Sequence, residues 1–258
     1  MVHIIPQSFG LPATMPVCAT VPAAVSLCKR RVLLHAEDSY CRSMDRDIIA
    51  PSRKADAARR QLGTALHLWL ADLDPVSVHV LTCGGSEVAN ALAKTAGKPF
   101  SAFALEVHDQ MTESDLRKLR NTFWNAMKHA SYTNGSARDD EELLAAPLDA
   151  DNEAHLSEGW YDLTQVMPVP IEAQTFILWF MAKHGNLDEL GDWPDELFPD
   201  LRSLDPPRQK ALLCEQIEVV RGNAEVMADP RTDTRPLILP PNCHTRRVPG
   251  RVPGTWRN

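Results

Sequence analysis

Apolar residues recur at helical spacing through the middle of this 258-residue chain. From Arg53, the positions Ala58, Leu62, Ala65, Leu66, Trp69 and Leu73 form one stripe, which predicts an amphipathic helix to about Leu70 or Asp72. Its other face carries Arg59, Arg60 and His67. Asp74-Pro75 then supplies a cap followed by proline at the first helical position, and the next helix is expected to end at Gly97, where glycine accepts a left-handed cap. So short a connection favours antiparallel neighbours sharing an apolar face. Gly84 and Gly85 each cost about 1 kcal/mol relative to alanine in a helix interior, so their presence points to close packing or a kink.

Thr112 to Ala130 declares a third helix. Thr112 stands three residues before Asp115 as a cap, and Leu116, Leu119, Phe123, Ala126, Met127 and Ala130 follow at helical spacing. Asn134 to Arg138 reads as a turn, and the acids Asp139 to Glu142 as the solvated start of a short helix. Asp151 to Val166 buries Leu156, Trp160 and Leu163, and Pro168 and Pro170 separate it from Ile171 to Ala182. That last stretch is almost wholly apolar. It falls short of the roughly 20 residues that span a bilayer, so it is expected at the centre or an interface of a bundle, ending at Gly185. Short helices are expected between Asn186 and Asp205, then a final helix from Pro206 to Arg221. The pattern as a whole is an all-α bundle of roughly five to seven helices with poorly structured N- and C-terminal arms.

The patterned region sets the organisation: an irregular extension over 1–50, the helical bundle domain over 51–228, and a Pro- and Arg-containing disordered tail over 229–258. Met44 stands just before the first helical signal, so an alternative reading starts translation there. Charge follows the same division. Residues 1–60 carry nine Lys and Arg against five acids, 61–229 carry twelve against twenty-eight, and 230–258 carry six Arg against Asp233, within a net charge of −7. A body so acidic repels phosphate, leaving Arg246, Arg247, Arg251 and Arg257 of the tail as the electrostatic candidates for an acidic partner or RNA. The ordinary reading of such a tail is a solvated one.

The six cysteines form no CxxC pair and no regular framework, so neither structural zinc nor a disulfide scaffold is indicated, and a cytoplasmic, reducing setting is the simplest. The apolar run from Leu11 to Leu27 is broken by Pro12, Pro16 and Pro22 and is followed, not preceded, by Lys29 to Arg31. That order suits neither a secretory signal nor a membrane span.

The common phosphate-loop, dinucleotide, serine-elbow and zinc-protease motifs are absent from the sequence, and no cofactor is implied. Glu106-Val107-His108 and Glu153-Ala154-His155 have one intervening residue where a carboxylate-bridged metal bundle needs two, so no metal site is expected. Cys83 within Thr82-Cys83-Gly84-Gly85-Ser86 reads as a packed small residue. His79, Cys83 and Glu87 share one side of the second helix, so they either face a polar pocket or leave His79 as a hydrogen-bonded histidine at the bundle edge. Asn125 and His129, also four apart, pair an orienting amide with a general acid or base, a combination suited to RNA cleavage, with Lys118 as a charge for phosphate. The bland reading of the same residues is a polar helix face.

At these residues the chain resembles a family of uncharacterised bacterial proteins. Those proteins pair a helix like Arg60-Gln61-Leu62-Gly63-Thr64-Ala65-Leu66 and an Asp-Pro-Val-Ser start, here Asp74-Pro75-Val76-Ser77, with a later Asn-x-x-Lys-His-Ala motif, here Asn125 to Ala130. The likeness runs on to Met181-Ala182-Lys183-His184. More distantly the chain resembles the HEPN superfamily, helical bundles that often dimerise and include ribonucleases with an Arg, four to six residues, then His. Arg120 precedes His129 by nine positions, about half a circle on a regular helix, so this chain departs from that spacing. What the resemblance implies is a HEPN-like regulatory or interaction module, non-catalytic and self-associating, with a protein partner. The alternative is a metal-independent ribonuclease using His129, Asn125 and Lys118.

Overall fold

The computed structural model describes residues 52–97, 113–145, 149–184 and 192–239. Expectations for 1–50, for the cap at Thr112, for the stop at Gly185 and for the tail beyond Leu239 lie outside these residues.

Helix α1 (Arg53–Leu70) begins where the Ser52 hydroxyl accepts the Ala55 N–H at 3.2 Å. Its expected stripe of Ala58, Leu62, Ala65, Leu66 and Trp69 is buried. Leu73 lies beyond the helix and is 50% exposed. The Asp74 carboxylate accepts the N–H groups of Val76 and Ser77 and so starts α2 (Pro75–Thr95), which ends in Gly97 at φ 78°. Gly85 explains the intimacy of this hairpin: a Cβ there would lie 2.7 Å from Leu62 Cγ and 3.3 Å from the Ala58 carbonyl oxygen. Gly85 therefore marks close packing, the first of the two expected alternatives, whereas a Cβ on Gly84 would meet only Gln61 at an ordinary 3.6 Å.

After α2 come α3 (Glu113–Lys128), the single-turn α4 (Glu141–Leu144) and α5 (Asp149–Thr164). Helix α5 lies against α2, and its Leu156, Trp160 and Leu163 are fully buried in the core. A two-residue strand β1 (Val169–Pro170) leads into α6 (Ile171–His184). No residue of α6 is exposed, which makes it the central helix of the bundle. Its Phe176 and Trp179 stack at 5.8 Å, and Trp69 of α1 meets both edge-on at 5.2 and 5.6 Å.

The remaining elements pack on α6 or on its neighbour, the last of the long helices. These are α7 (Trp193–Leu197), a 3₁₀ turn at Leu201–Ser203, α8 (Pro206–Arg221) and α9 (Ala224–Ala228). Asp205 caps α8 by accepting the Arg208 N–H at 3.0 Å, and Trp179 Nε1 donates to the Gln209 carbonyl at 3.1 Å. Six helices exceed two turns, and the others among the described residues are short, so the all-α bundle expected from periodicity is the observed architecture.

Two features depart from the sequence reading. The segment 229–239, expected within the tail, is packed on the bundle: β2 (Thr232–Asp233) pairs in parallel with β1. Gln174 Nε2 fastens the pair by donating to Val169 O, Arg231 O and Thr232 Oγ1 at 2.9–3.2 Å. Arg59, expected on the outer face of α1, is fully buried. Its guanidinium donates to Asp233 and to the carbonyls of Arg235, Pro236 and Leu237. Gly63, one turn on, leaves room for this strap, since a Cβ there would lie 2.5 Å from Leu237 O. The prolines after Asp229 do oppose helix, but side chains of the bundle satisfy the extended backbone instead.

Candidate functional site

Two polar groupings stand on α3 and α2. On α3, Lys118, Thr122, Asn125 and His129 follow at intervals of four, three and four, so they trace one line along the helix surface. Lys118 and His129 are exposed and Asn125 is half-buried. Asn125 and His129 are joined through the backbone, with the His129 N–H donating to the Asn125 carbonyl at 3.1 Å. Lys118 stands two turns away, about 10 Å along the axis, so it shares their line without closing on the same point. The inner side of α3 carries buried Ala126 with half-buried Phe123 and Met127, as the periodicity predicts. Ala130, past the helix end, is exposed.

The chain then turns sharply. Ser131 bridges Ala137, the Asn134 carboxamide oxygen accepts from the N–H and hydroxyl of Ser136, and Gly135 takes φ 84°. This turn brings in a cation that helical spacing did not reveal. The Arg138 N–H donates to the Ala130 carbonyl at 3.1 Å, setting Arg138 across from the residue after His129. Its guanidinium is engaged by Asp140 through two hydrogen bonds of 2.6 and 2.8 Å, which raise the Arg138 pKa and hold the Asp140 carboxyl below its usual range.

The second grouping is a polar seam between α2 and α5. His79, Thr82, Cys83, Ser86 and Asn90 recur on α2, and Asn152, His155, Gly159 and Asp162 recur on α5. His79 Nδ1 lies 2.9 Å from Asn152 Oδ1, and Nε2 lies 3.4 Å from Cys83 Sγ. Ser86 donates to the His155 carbonyl at 3.1 Å, and Asn90 to Asp162 at 2.9 Å. Thr82 Oγ1 is buried without a hydrogen-bond partner among the described residues. A Cβ on Gly159 would meet Ser86 Oγ at 2.2 Å, so the two helices touch at this point. Phe123 of α3 and His155 of α5 pack edge-on against the His79 ring at 5.8 and 5.5 Å.

His79 is thus an interior residue between three helices, not one at the bundle edge, and its hydrogen bond is to a side chain far along the chain. Glu87 is exposed and takes no part in the seam. Sequence reasoning missed Asn152, although the recurrence of small and polar residues along α2 signals a polar contact. The partner on α5 is set by tertiary packing, since Asn152 is 73 positions from His79.

A charged cluster joins α5 to α6. Glu153 Oε2 accepts from Lys183 Nζ at 2.7 Å and lies 3.7 Å from His184 Nε2. Burial alone would raise the Glu153 carboxyl, but His184 and Lys183 outweigh it and keep it below its ordinary value. Among the described residues, no three His, Cys, Asp or Glu side chains gather as a metal site, and no helix is long and apolar enough to cross a membrane.

No protein-family model matches the chain, and no curated protein or solved structure shows significant similarity to it.

Proposed function

We propose that the chain is a HEPN-like helical interaction module of a bacterial cell that works by self-association, without catalysis. The supporting observation is an exposed apolar patch at the start of α2, where Val76 and Val80 stand one turn apart at 46 and 40% exposed and Leu73, in the turn before the helix, is 50% exposed. The apolar α6, by contrast, is enclosed within the bundle, so the interface role expected of an apolar helix passes to α2. A second copy of the same patch is the occupant this reading assigns, as in a two-fold interface where one patch meets itself. Sedimentation velocity tests it: the chain should form a dimer that Val76→Glu with Val80→Glu dissociates. A protein that stays monomeric at the highest attainable concentration would remove the reading.

The ribonuclease reading draws its support from His129, exposed at the end of α3 one turn from Asn125. There His129 would be the acid or base, Asn125 the orienting amide and Lys118 the phosphate contact. RNA cleavage in EDTA that disappears in His129→Ala would favour it over the interaction module.

A further inference from the structure

Cys83, His79 and Asn152 stand in the order of a nucleophile, a proton acceptor and an orienting amide. The orientation is fixed from the outside inward. Asn152 Nδ2 donates to the Pro75 carbonyl at 3.1 Å, which turns Oδ1 toward His79. His79 Nδ1 lies 2.9 Å from that oxygen, so Nδ1 carries the hydrogen and Nε2 keeps its lone pair. That lone pair lies 3.4 Å from Cys83 Sγ, one helical turn further along α2. A thiol buried among apolar groups is inert, because desolvation opposes the thiolate. Here the proton has an acceptor as the sulfur attacks, so no standing thiolate is required.

Burial decides what reaches the sulfur. Cys83 is 1% exposed, His79 and Asn152 are 0%, and the Phe123 ring of α3 covers His79. A site this closed excludes bulky disulfides and leaves a small neutral oxidant as the reagent class that fits.

We propose that Cys83 is an oxidation site for hydrogen peroxide, with His79 as the proton acceptor and Asn152 as a positioning residue. As Sγ attacks one peroxide oxygen, the thiol proton passes to His79 Nε2 and the O–O bond breaks. The departing hydroxide takes that proton and leaves as water. Sulfur is oxidised by two electrons to a sulfenic acid, and the peroxide is reduced by the same two.

The test treats the folded full chain with hydrogen peroxide, removes the peroxide with catalase, unfolds the chain in urea containing dimedone so that trapping does not depend on access to the folded site, and quantifies each cysteine peptide by mass spectrometry. Cys214 on α8 is the internal reference, since it is half-buried and burial pushes its thiol pKa up. Cys83 should be trapped on the order of tenfold or more faster than Cys214, because a positioned base contributes about 10²–10⁴-fold and restricted access takes part of that back. Phe123→Ala should speed Cys83 further without changing Cys214. Asn152→Ala should slow Cys83 alone, and Asn152→Asp, which also accepts from Nδ1–H, should restore it. Cys83 trapping no faster than Cys214 in both the native chain and Phe123→Ala would overturn the proposal, as would equal rates for Asn152→Ala and the native chain.

Discussion

Arg59 Nε lies 2.9 Å from Asp233 Oδ2, joining residues 174 positions apart through a pair whose side chains are 0 and 6% exposed. The pair closes the chain on itself. Burial alone lowers the Arg59 pKa, and the Asp233 carboxylate opposes that loss of charge. Three of the four remaining guanidinium hydrogens go to three consecutive backbone carbonyls, Arg235 to Leu237. One side chain thereby serves as the binding groove for an extended strap.

Arg59→Met should cost about 3 kcal/mol of stability, because it strips a buried carboxylate of one partner and leaves three carbonyls without a donor. Arg59→Lys should recover little, since an ammonium lacks the planar fork that reaches four acceptors at once. Urea unfolding followed by circular dichroism reads both. A change below about 0.5 kcal/mol for Arg59→Met would mean the strap is held by other contacts.

Stability should decline in acid. Burial acts to raise the Asp233 and Glu153 carboxyls, but hydrogen bonds and charge from Arg235 and Arg59, and from His184 and Lys183, leave both below their ordinary values. A carboxyl depressed in the folded state contributes stability that is complete above its unfolded pKa, about 4, and is lost as pH falls through the folded value. Unfolding free energy measured from pH 7 to pH 3 should fall most steeply below about pH 5, where these carboxyls take up protons. Asp233→Asn should make that fall shallower, and an unchanged slope would remove Asp233 from the account.

Gly159→Ala should destabilise by about 1–3 kcal/mol, as overpacking does, because the new Cβ meets Ser86 Oγ and Leu62. Ser86 is tied to the His155 carbonyl and does not swing away freely. Ser86→Gly in the same chain should recover part of the loss. Gly222→Ala supplies the contrast: its nearest neighbour would be at 3.4 Å and its φ is −69°, so thermal unfolding should change little or move slightly upward.

Amide exchange should rank the helices. Helix α6 is enclosed by α5, α7, α8 and the strap, whereas among the described residues α3 packs mainly on α2 and the single-turn α4. Native-state exchange should therefore be slowest in α6 and markedly faster in α3. Equal protection would mean that α3 is an integral part of the core and that Phe123 does not act as a cover.

The long helices were legible in the sequence because their causes are local. Ser52, Asp74 and Asp205 cap, proline opens, glycine closes, and an apolar stripe marks the inner face. Those signals gave α1, α2, α5, α6 and α8 to within a few residues at each end. They also placed Asn125 and His129 on neighbouring turns, since that follows from helical geometry alone. What the sequence could not decide was which polar residues turn inward. Arg59 reads as an outer-face cation until the distant segment from Thr232 to Leu239 supplies its acceptors, and His79 reads as an edge residue until Asn152 meets it. A buried polar side chain is stable only with its partner. Where that partner lies more than seventy positions away, as for His79 and Asn152, only the tertiary structure brings the two together.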